Sequence, residues 1–219
     1  MLHFDKTFAQ FDQFLLGAGV TLFVSLLGAI FGLAVGLLLF FMREARWKPV
    51  RLLARLYISF VRGTPLLVQI FLVYYALPGL TGIDLRPFTA GVLALSLNSG
   101  AFAAEIIRGG LTRVSHGQYE AADALGLPRF VTWFKVILPQ VVRFILPPLV
   151  NEFTLLVKAS TLLSVITVVD LTRTAQNIMN TTYRPVEAFI IAAALYFVML
   201  FVLSTLARQL EKRNRVQRS

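Results

Sequence analysis

The chain has 219 residues, of which 57% are hydrophobic and only 15% are charged, and its mean hydropathy is +0.74. A soluble domain of this length rarely carries so little charge, so the composition indicates an integral membrane protein. The formal net charge is +10, but the basic residues are divided among several connections, which argues against a nucleic-acid-binding surface. With no cysteine and only two histidines, we expect no thiolate or histidine-built metal site.

The apolar stretches predict an all-α protein with five transmembrane helices in one domain over residues 14–207. A spanning helix needs about 20 mostly apolar residues. The fourth stretch qualifies by length, although Glu152 and Lys158 interrupt it. The predicted spans are residues 14–42, 56–80, 87–107, 142–168 and 188–209.

The distribution of lysine and arginine predicts the orientation of these spans. Basic residues crowd the first connection, the third connection and the C-terminal tail over 208–219, while the other segments are poorer. Because cytoplasmic connections carry the excess of positive charge, we expect the N-terminus outside and the C-terminus in the cytoplasm. Phe4, Phe8 and Phe11 recur at helical spacing, which predicts that residues 1–13 lie along the outer interface; a disordered leader is the alternative.

The first span carries three glycines at four-residue spacing, Gly28, Gly32 and Gly36. Such a face lets the backbone of another helix approach closely in lipid. The partner helix could belong to another subunit or to the same chain, and the spacing leaves both interpretations open.

A short helix is predicted in the third connection. Ser115 and Gln118 have the spacing of a capping box, so the helix should begin at His116. Leu125 should lie near its end, followed by Gly126 in a left-handed conformation.

The prolines after this helix predict a second one, which begins at Pro128 and ends at Pro139. About ten residues of isolated helix are marginally stable in water. The first helix must therefore bury one side, either against its own membrane domain or against a soluble partner.

The segment from Glu120 to Pro139 resembles the EAA loop in the membrane subunits of ABC-type importers. The loop pattern is Glu-Ala-Ala, three residues, Gly, nine residues, Ile, one residue and Leu-Pro. The corresponding residues are Glu120-Ala121-Ala122, Gly126, Val136 in place of Ile, and Leu138-Pro139. Residues 62–66 (RGTPL), 104–110 (AEIIRGG) and 146–153 (LPPLVNEF) resemble the polar amino acid uptake branch of the family.

This resemblance implies a permease subunit of an ABC amino acid importer in the bacterial inner membrane, with the type I permease fold. The coupling loop over 110–140 would contact a separate ATPase. The residues implied in ATPase coupling are Glu120, Ala121, Ala122, Asp123, Gly126 and Leu127. The resemblance also implies that the chain is not an enzyme and that ATP and Mg²⁺ bind to the ATPase. The chain itself has no G-x-x-x-x-G-K-[ST] phosphate loop.

The resemblance further implies four kinds of partner besides membrane lipid. These are a dimer of ATPase subunits, a second permease subunit that is identical or homologous, an extracytoplasmic amino acid-binding protein and the amino acid substrate. In the connection over 170–187, Asp170, Arg173 and Arg184 are candidate contacts for the binding protein, with ordinary solvated charges as the alternative.

A substrate pathway is predicted around the interrupted fourth span. Its candidate residues are Arg62, Asn151, Glu152, Thr154 and Lys158. An ionisable residue inside a membrane costs roughly 2.5–3.5 kcal/mol on insertion scales and usually faces protein or water. Asn151 and Glu152 could accept hydrogen bonds from an ammonium group, and Arg62 could bind a carboxylate. Thr154 points away from Glu152 unless the helix unwinds. For Glu152 and Lys158, structural pairing with other helices or a second subunit is the alternative to a substrate role.

Prolines and repeats bear on the remaining alternatives. Pro147 and Pro148 predict a kink or break in the fourth span.

An ion-gradient-driven secondary transporter or channel is the alternative function, although those folds commonly use repeated halves and no internal repeat is evident. A membrane enzyme has little support because the H-E-x-x-H and G-x-S-x-G motifs are absent.

Overall fold

The computed structural model describes residues 4–215, with side chains described from Phe4 to Gln209, and this part of the chain folds into helices. Residues 1–3 of the predicted interfacial segment and 216–219 of the predicted tail lie outside the described residues. The helices are α1 (Asp5–Phe8), α2 (Phe11–Glu44), α3 (Lys48–Gly63), α4 (Leu66–Thr81), α5 (Pro87–Leu111), α6 (His116–Ala124), α7 (Arg129–Ile166), α8 (Leu171–Thr182) and α9 (Pro185–Arg215).

Within the described residues, four helices are long and apolar enough to cross a membrane: α2, α5, α7 and α9. Helices α3 and α4 together give up to a fifth crossing, but their axes differ by 113°. The prediction of one helix over 56–80 is therefore wrong. Thr64 and Pro65 are both extended, because the proline ring disfavours helical geometry at the residue before it.

A buried amide group stabilises the bend between α3 and α4. The Nε2 of Gln69 donates to the carbonyl oxygens of Val61 at 2.8 Å and Thr64 at 3.2 Å, which the end of α3 leaves without helical partners. The Nδ2 of Asn98 in α5 donates to the Oε1 of Gln69 at 3.0 Å, so the bend is also bonded to the next spanning helix.

Two of the prolines inside helices each follow a π-helical turn. The turn Leu72–Ala76 precedes Pro78, and the turn Thr132–Ile137 precedes Pro139. A proline in a regular α-helix clashes with the carbonyl four residues earlier, and the wider π turn displaces that carbonyl. The prediction that a helix ends at Pro139 is wrong for this reason. Helix α7 also continues unbroken through the predicted kink or break at Pro147 and Pro148.

Helices α2 and α5 pack along their lengths through the glycines of α2. A Cβ on Gly32 would lie 2.9 Å from the Cβ of Ser99, and one on Gly36 would lie 2.6 Å from the Cβ of Ala103. Gly28 of α2 meets Leu95 of α5 in the same way. All three glycines thus serve packing within the chain, which supports the intramolecular interpretation of the pattern.

One end of the helical bundle carries the short helix α6. Leu39 of α2, Ala54 of α3 and Ala104 of α5 share one apolar cluster near this end. Val114, just before α6, packs with Ile137 of α7 in another cluster. We call this the α6 end; α8 and the beginnings of α2 and α9 meet at the opposite end.

Candidate functional site

Local hydrogen bonds define both ends of α6. The helix begins at His116 as predicted, but the capping box is wrong: no side-chain cap forms, and the backbone N–H of Gln118 donates to the carbonyl of Ser115 at 3.0 Å. Gly126 has a φ of +64°, which confirms its predicted left-handed conformation.

The end of α6 is a Schellman motif. The backbone N–H of Leu127 donates to the carbonyl of Ala122, and that of Gly126 donates to the carbonyl of Asp123, each at 3.0 Å. This arrangement needs the positive φ that glycine adopts without strain. Gly126 and Leu127 therefore fix where the helix stops and how the chain leaves it.

One side of α6 is attached to the membrane domain and the other is exposed. Ala122 is buried, and Tyr119 packs on the cluster that contains Ile137 of α7. The exposed side carries Glu120, Ala121 and Asp123. Ala122, which the resemblance implies in ATPase coupling, has its small side chain buried against its own chain.

A cleft of about 370 Å³, which we call the central cleft, lies between α3, α5 and α7. Its lining residues are Arg62, Phe102, Glu105, Ile106, Gly109, Gly110, Arg113, Phe144, Pro148, Asn151 and Glu152. The structure thus brings Arg62, Asn151 and Glu152 of the predicted pathway together. It does not bring Thr154 and Lys158 to the cleft.

Thr154 and Lys158 lie outside the central cleft because α7 is a regular helix here. The hydroxyl of Thr154 donates to the carbonyl of Val150 at 3.0 Å within the same helix. Lys158 is exposed and lies six residues beyond Glu152 on another side of the helix. Because α7 does not unwind here, nothing turns Thr154 towards the side of Glu152.

Glu105 joins three arginines at the central cleft, and sequence analysis did not identify it as a functional residue. Arg43 at the end of α2 donates to one carboxylate oxygen, and Arg108 donates to the other at 3.0 Å. Arg62 of α3 lies 3.9 Å from Glu105. The available signal was an acidic residue inside the predicted span over 87–107, a position that charges rarely occupy without a partner.

Charges of both signs therefore line the central cleft. The guanidinium of Arg62 lies 5.8 Å from the ring centroid of Phe102, close enough for a cation–π contact. Arg113 lines the cleft together with Arg62, and Asn151 and Glu152 line it from α7. Such a cleft can contact a cationic group and an anionic group of one small molecule.

Comparison with known proteins decides the family. Residues 28–216 match the family described as "Binding-protein-dependent transport system inner membrane component". The chain belongs to this family. It is a permease subunit of the inner membrane rather than an enzyme, and ATP hydrolysis resides in a separate subunit.

The permease is similar to transport permeases over most of their length. It is 40% identical over 201 residues to the glutamine transport system permease protein GlnP of Escherichia coli, covering 91% of this chain and 92% of the relative. It is 38% identical over 212 residues to the arginine transport system permease protein ArtQ of Bacillus subtilis, covering 97% of each.

A solved structure, titled a crystal structure of an amino acid ABC transporter with histidines, superposes with a TM-score of 0.91 at 42% identity. The match covers 97% of this chain and 99% of that one. The fold of the permease is that of type I ABC importers.

At the opposite end of the permease, Asp170 is buried in a polar network. One carboxylate oxygen accepts from the backbone N–H of Arg173 at 2.8 Å, and the hydroxyl of Tyr196 donates to the other at 3.4 Å. Burial raises the pKa of the Asp170 carboxyl to about 6, although these donors favour its charged form. Asp170 is therefore not an exposed contact for a binding protein, as its position in a connection had suggested.

No cluster of metal-ligating side chains occurs among the residues that the structure describes.

Proposed function

We propose that this permease forms half of a pathway that carries amino acids into the cell and that α6 couples the pathway to a separate ATPase. The observation that carries the proposal is the position of the central cleft, whose lining reaches Arg113, three residues before α6 begins. The chain is the permease component of an ABC amino acid importer, in agreement with its glutamine and arginine transport relatives.

In the proposed topology, the α6 end faces the cytoplasm. The bent pair α3–α4 makes one crossing, which gives five crossings with α2, α5, α7 and α9. An odd number of crossings leaves the N-terminus outside and the C-terminus inside. The basic residues that follow α2, together with those around α6, support this orientation.

Helix α7 provides the physical connection between α6 and the central cleft. Tyr119 of α6 packs with Ile137 and Val141 of α7, and Glu152 lies farther along the same continuous helix. Eleven residues separate Val141 from Glu152, which corresponds to roughly 16 Å of helix. A displacement of α6 by the ATPase would therefore move one wall of the cleft as a rigid unit.

The proposed ATPase contact is the exposed side of α6. Glu120, Ala121 and Asp123 face solvent on it, and the Schellman motif at Gly126 and Leu127 fixes its C-terminal end. ATP and Mg²⁺ would bind to the two ATPase subunits rather than to this chain. A second permease subunit, identical or homologous, would complete the pathway, and a binding protein would deliver the amino acid from outside.

The proposed substrate contacts use both signs of charge in the central cleft. Glu152 and Asn151 would accept hydrogen bonds from the ammonium group that every amino acid carries. Arg62 is 47% exposed, and its guanidinium lies 3.9 Å from the Glu105 carboxylate, which is too far for a hydrogen bond. Its N–H donors therefore stay available for the carboxylate of the amino acid. Arg43 and Arg108 hydrogen-bond more closely to Glu105, so they would help to hold that carboxylate in place.

Substitution of Glu152 by Gln tests this assignment. In proteoliposomes that contain the permease, its ATPase and its binding protein, we expect Glu152→Gln to raise the KM for uptake at least tenfold, because a charge-assisted hydrogen bond contributes about 1.5–3 kcal/mol. Lys158→Gln is the matched control: it removes a charge from the same helix outside the cleft. Unchanged KM and selectivity in Glu152→Gln would refute the substrate role.

A further inference from the structure

A second cleft, of about 420 Å³, lies against the first two turns of α3, and we call it the α3 cleft. Its lining residues are Lys48, Pro49, Arg51, Leu52 and Arg55. Three of the five are cations and none is acidic. Among the residues with described side chains, none of these three cations has an ion-pair partner. The α3 cleft is thus a concentration of uncompensated positive charge.

Helix α3 has a second exposed side that is apolar. Ala54 and Ile58 are buried against α2 and α5. Leu52, Leu56 and Phe60 are exposed and recur at four-residue spacing, so they form one stripe along the helix. Leu52 also lines the α3 cleft, so the apolar stripe begins where the cations lie.

The position of the α3 cleft in the chain places it at a membrane surface. Helix α3 begins four residues after the spanning helix α2 ends at Glu44. Trp47, which directly precedes α3, is 73% exposed. Tryptophan beside basic residues at the end of a spanning helix is typical of the interface between hydrocarbon and water.

Leu38 and Phe41 in the last two turns of α2 are also exposed. Apolar surface therefore lies on both helices that meet at this connection. A ligand in the α3 cleft would have its charged part among the cations and its apolar part along these side chains.

We propose that the α3 cleft binds an acidic phospholipid, with the phosphate among Lys48, Arg51 and Arg55 and an acyl chain along Leu52 and Leu56. The charge of the cleft is complementary to a phosphodiester, and the adjoining stripe is complementary to a hydrocarbon chain. Free phosphate would use the cations but leave the stripe uncovered. Each cation near an anionic membrane surface strengthens association about fivefold.

Fluorescence quenching of Trp47 by brominated lipids tests the proposal directly. The chain has two tryptophans, so the full-length permease carrying Trp133→Phe reports on Trp47 alone. This protein is placed in nanodiscs that contain either brominated phosphatidylglycerol or brominated phosphatidylcholine in an unbrominated phosphatidylcholine background. We expect the acidic lipid to quench Trp47 at several-fold lower mole fraction than the zwitterionic lipid.

Two triple variants separate this site from a general effect of charge. In Lys48→Gln/Arg51→Gln/Arg55→Gln, the preference for the acidic lipid should disappear. The control Arg129→Gln/Lys135→Gln/Arg208→Gln removes the same number of exposed basic residues outside the α3 cleft and should keep the preference.

Other occupants give different results. Equal quenching by both lipids, or a preference that survives the first triple variant, overturns the proposal. Loss of the preference on addition of inorganic phosphate at constant ionic strength would assign the cleft to a small anion instead. Loss of the preference when the ATPase subunit binds would assign it to a protein contact.

Discussion

Replacement of Gly36 by Ala probes the packing that holds α2 against α5. The added Cβ would lie 2.6 Å from the Cβ of Ala103 and 3.0 Å from the carbonyl oxygen of Gly100, so the two helices must separate. Overpacking of this kind costs about 1–3 kcal/mol. Alanine recovers about 1 kcal/mol of helix propensity. We therefore expect a net destabilisation of about 1 kcal/mol.

Gly19→Ala in the same helix is the matched control. No described atom lies within 4 Å of the Cβ it would add, so only the gain in helix propensity remains. The two variants should differ by about 2 kcal/mol in free energy of unfolding. Titration of the purified permease with a denaturing detergent, followed by circular dichroism, measures this difference. Equal stability of Gly36→Ala and Gly19→Ala would refute the close packing of α2 on α5.

Three further predictions concern charged residues. Glu105→Gln should lower the free energy of unfolding by about 2 kcal/mol, because Arg43 and its neighbours lose a shared charged acceptor; in the same titration, a loss no larger than that of Glu44→Gln would contradict this. Glu120→Lys should leave ATP hydrolysis intact but abolish uptake, and coupled transport in that variant would remove the exposed side of α6 from the mechanism. The folded-state pKa of Asp170 is raised from 3.8 to about 6, so the folded permease holds this proton more tightly than the unfolded chain and is stabilised as pH falls through 6. Thermal unfolding at pH 7 and pH 5 should show this gain in wild type and not in Asp170→Asn, and equal gains in both proteins would refute it.

The short helix α6 could be predicted well from the sequence because its signals are local. The start at His116 and the left-handed Gly126 depend on residues within one or two turns of each end. The capping box failed although its spacing was correct, since the first turn of α6 is bonded through the backbone of Ser115 instead. The buried side of α6 was only partly predictable, because burial of Ala122 depends on contacts with the membrane domain.

The bend between α3 and α4 and the charges of the central cleft depend on contacts that are distant in the sequence. An apolar run over 56–80 looks like one span unless the partners of Gln69 are known. Two of the three arginines around Glu105 come from other parts of the chain: Arg43 lies 62 positions earlier and Arg62 lies 43 positions earlier. Only the presence of a charge inside a predicted span was visible, and pairing it required the fold.

Uptake of labelled amino acid in proteoliposomes tests most directly whether ATP hydrolysis drives this permease through a separate subunit. The proton and sodium gradients are collapsed with ionophores, the binding protein is supplied at the side of delivery, and the ATPase is either included or omitted. We expect accumulation only when both the ATPase and ATP are present. In parallel vesicles that lack the ATPase, accumulation driven by an imposed proton or sodium gradient would contradict this expectation.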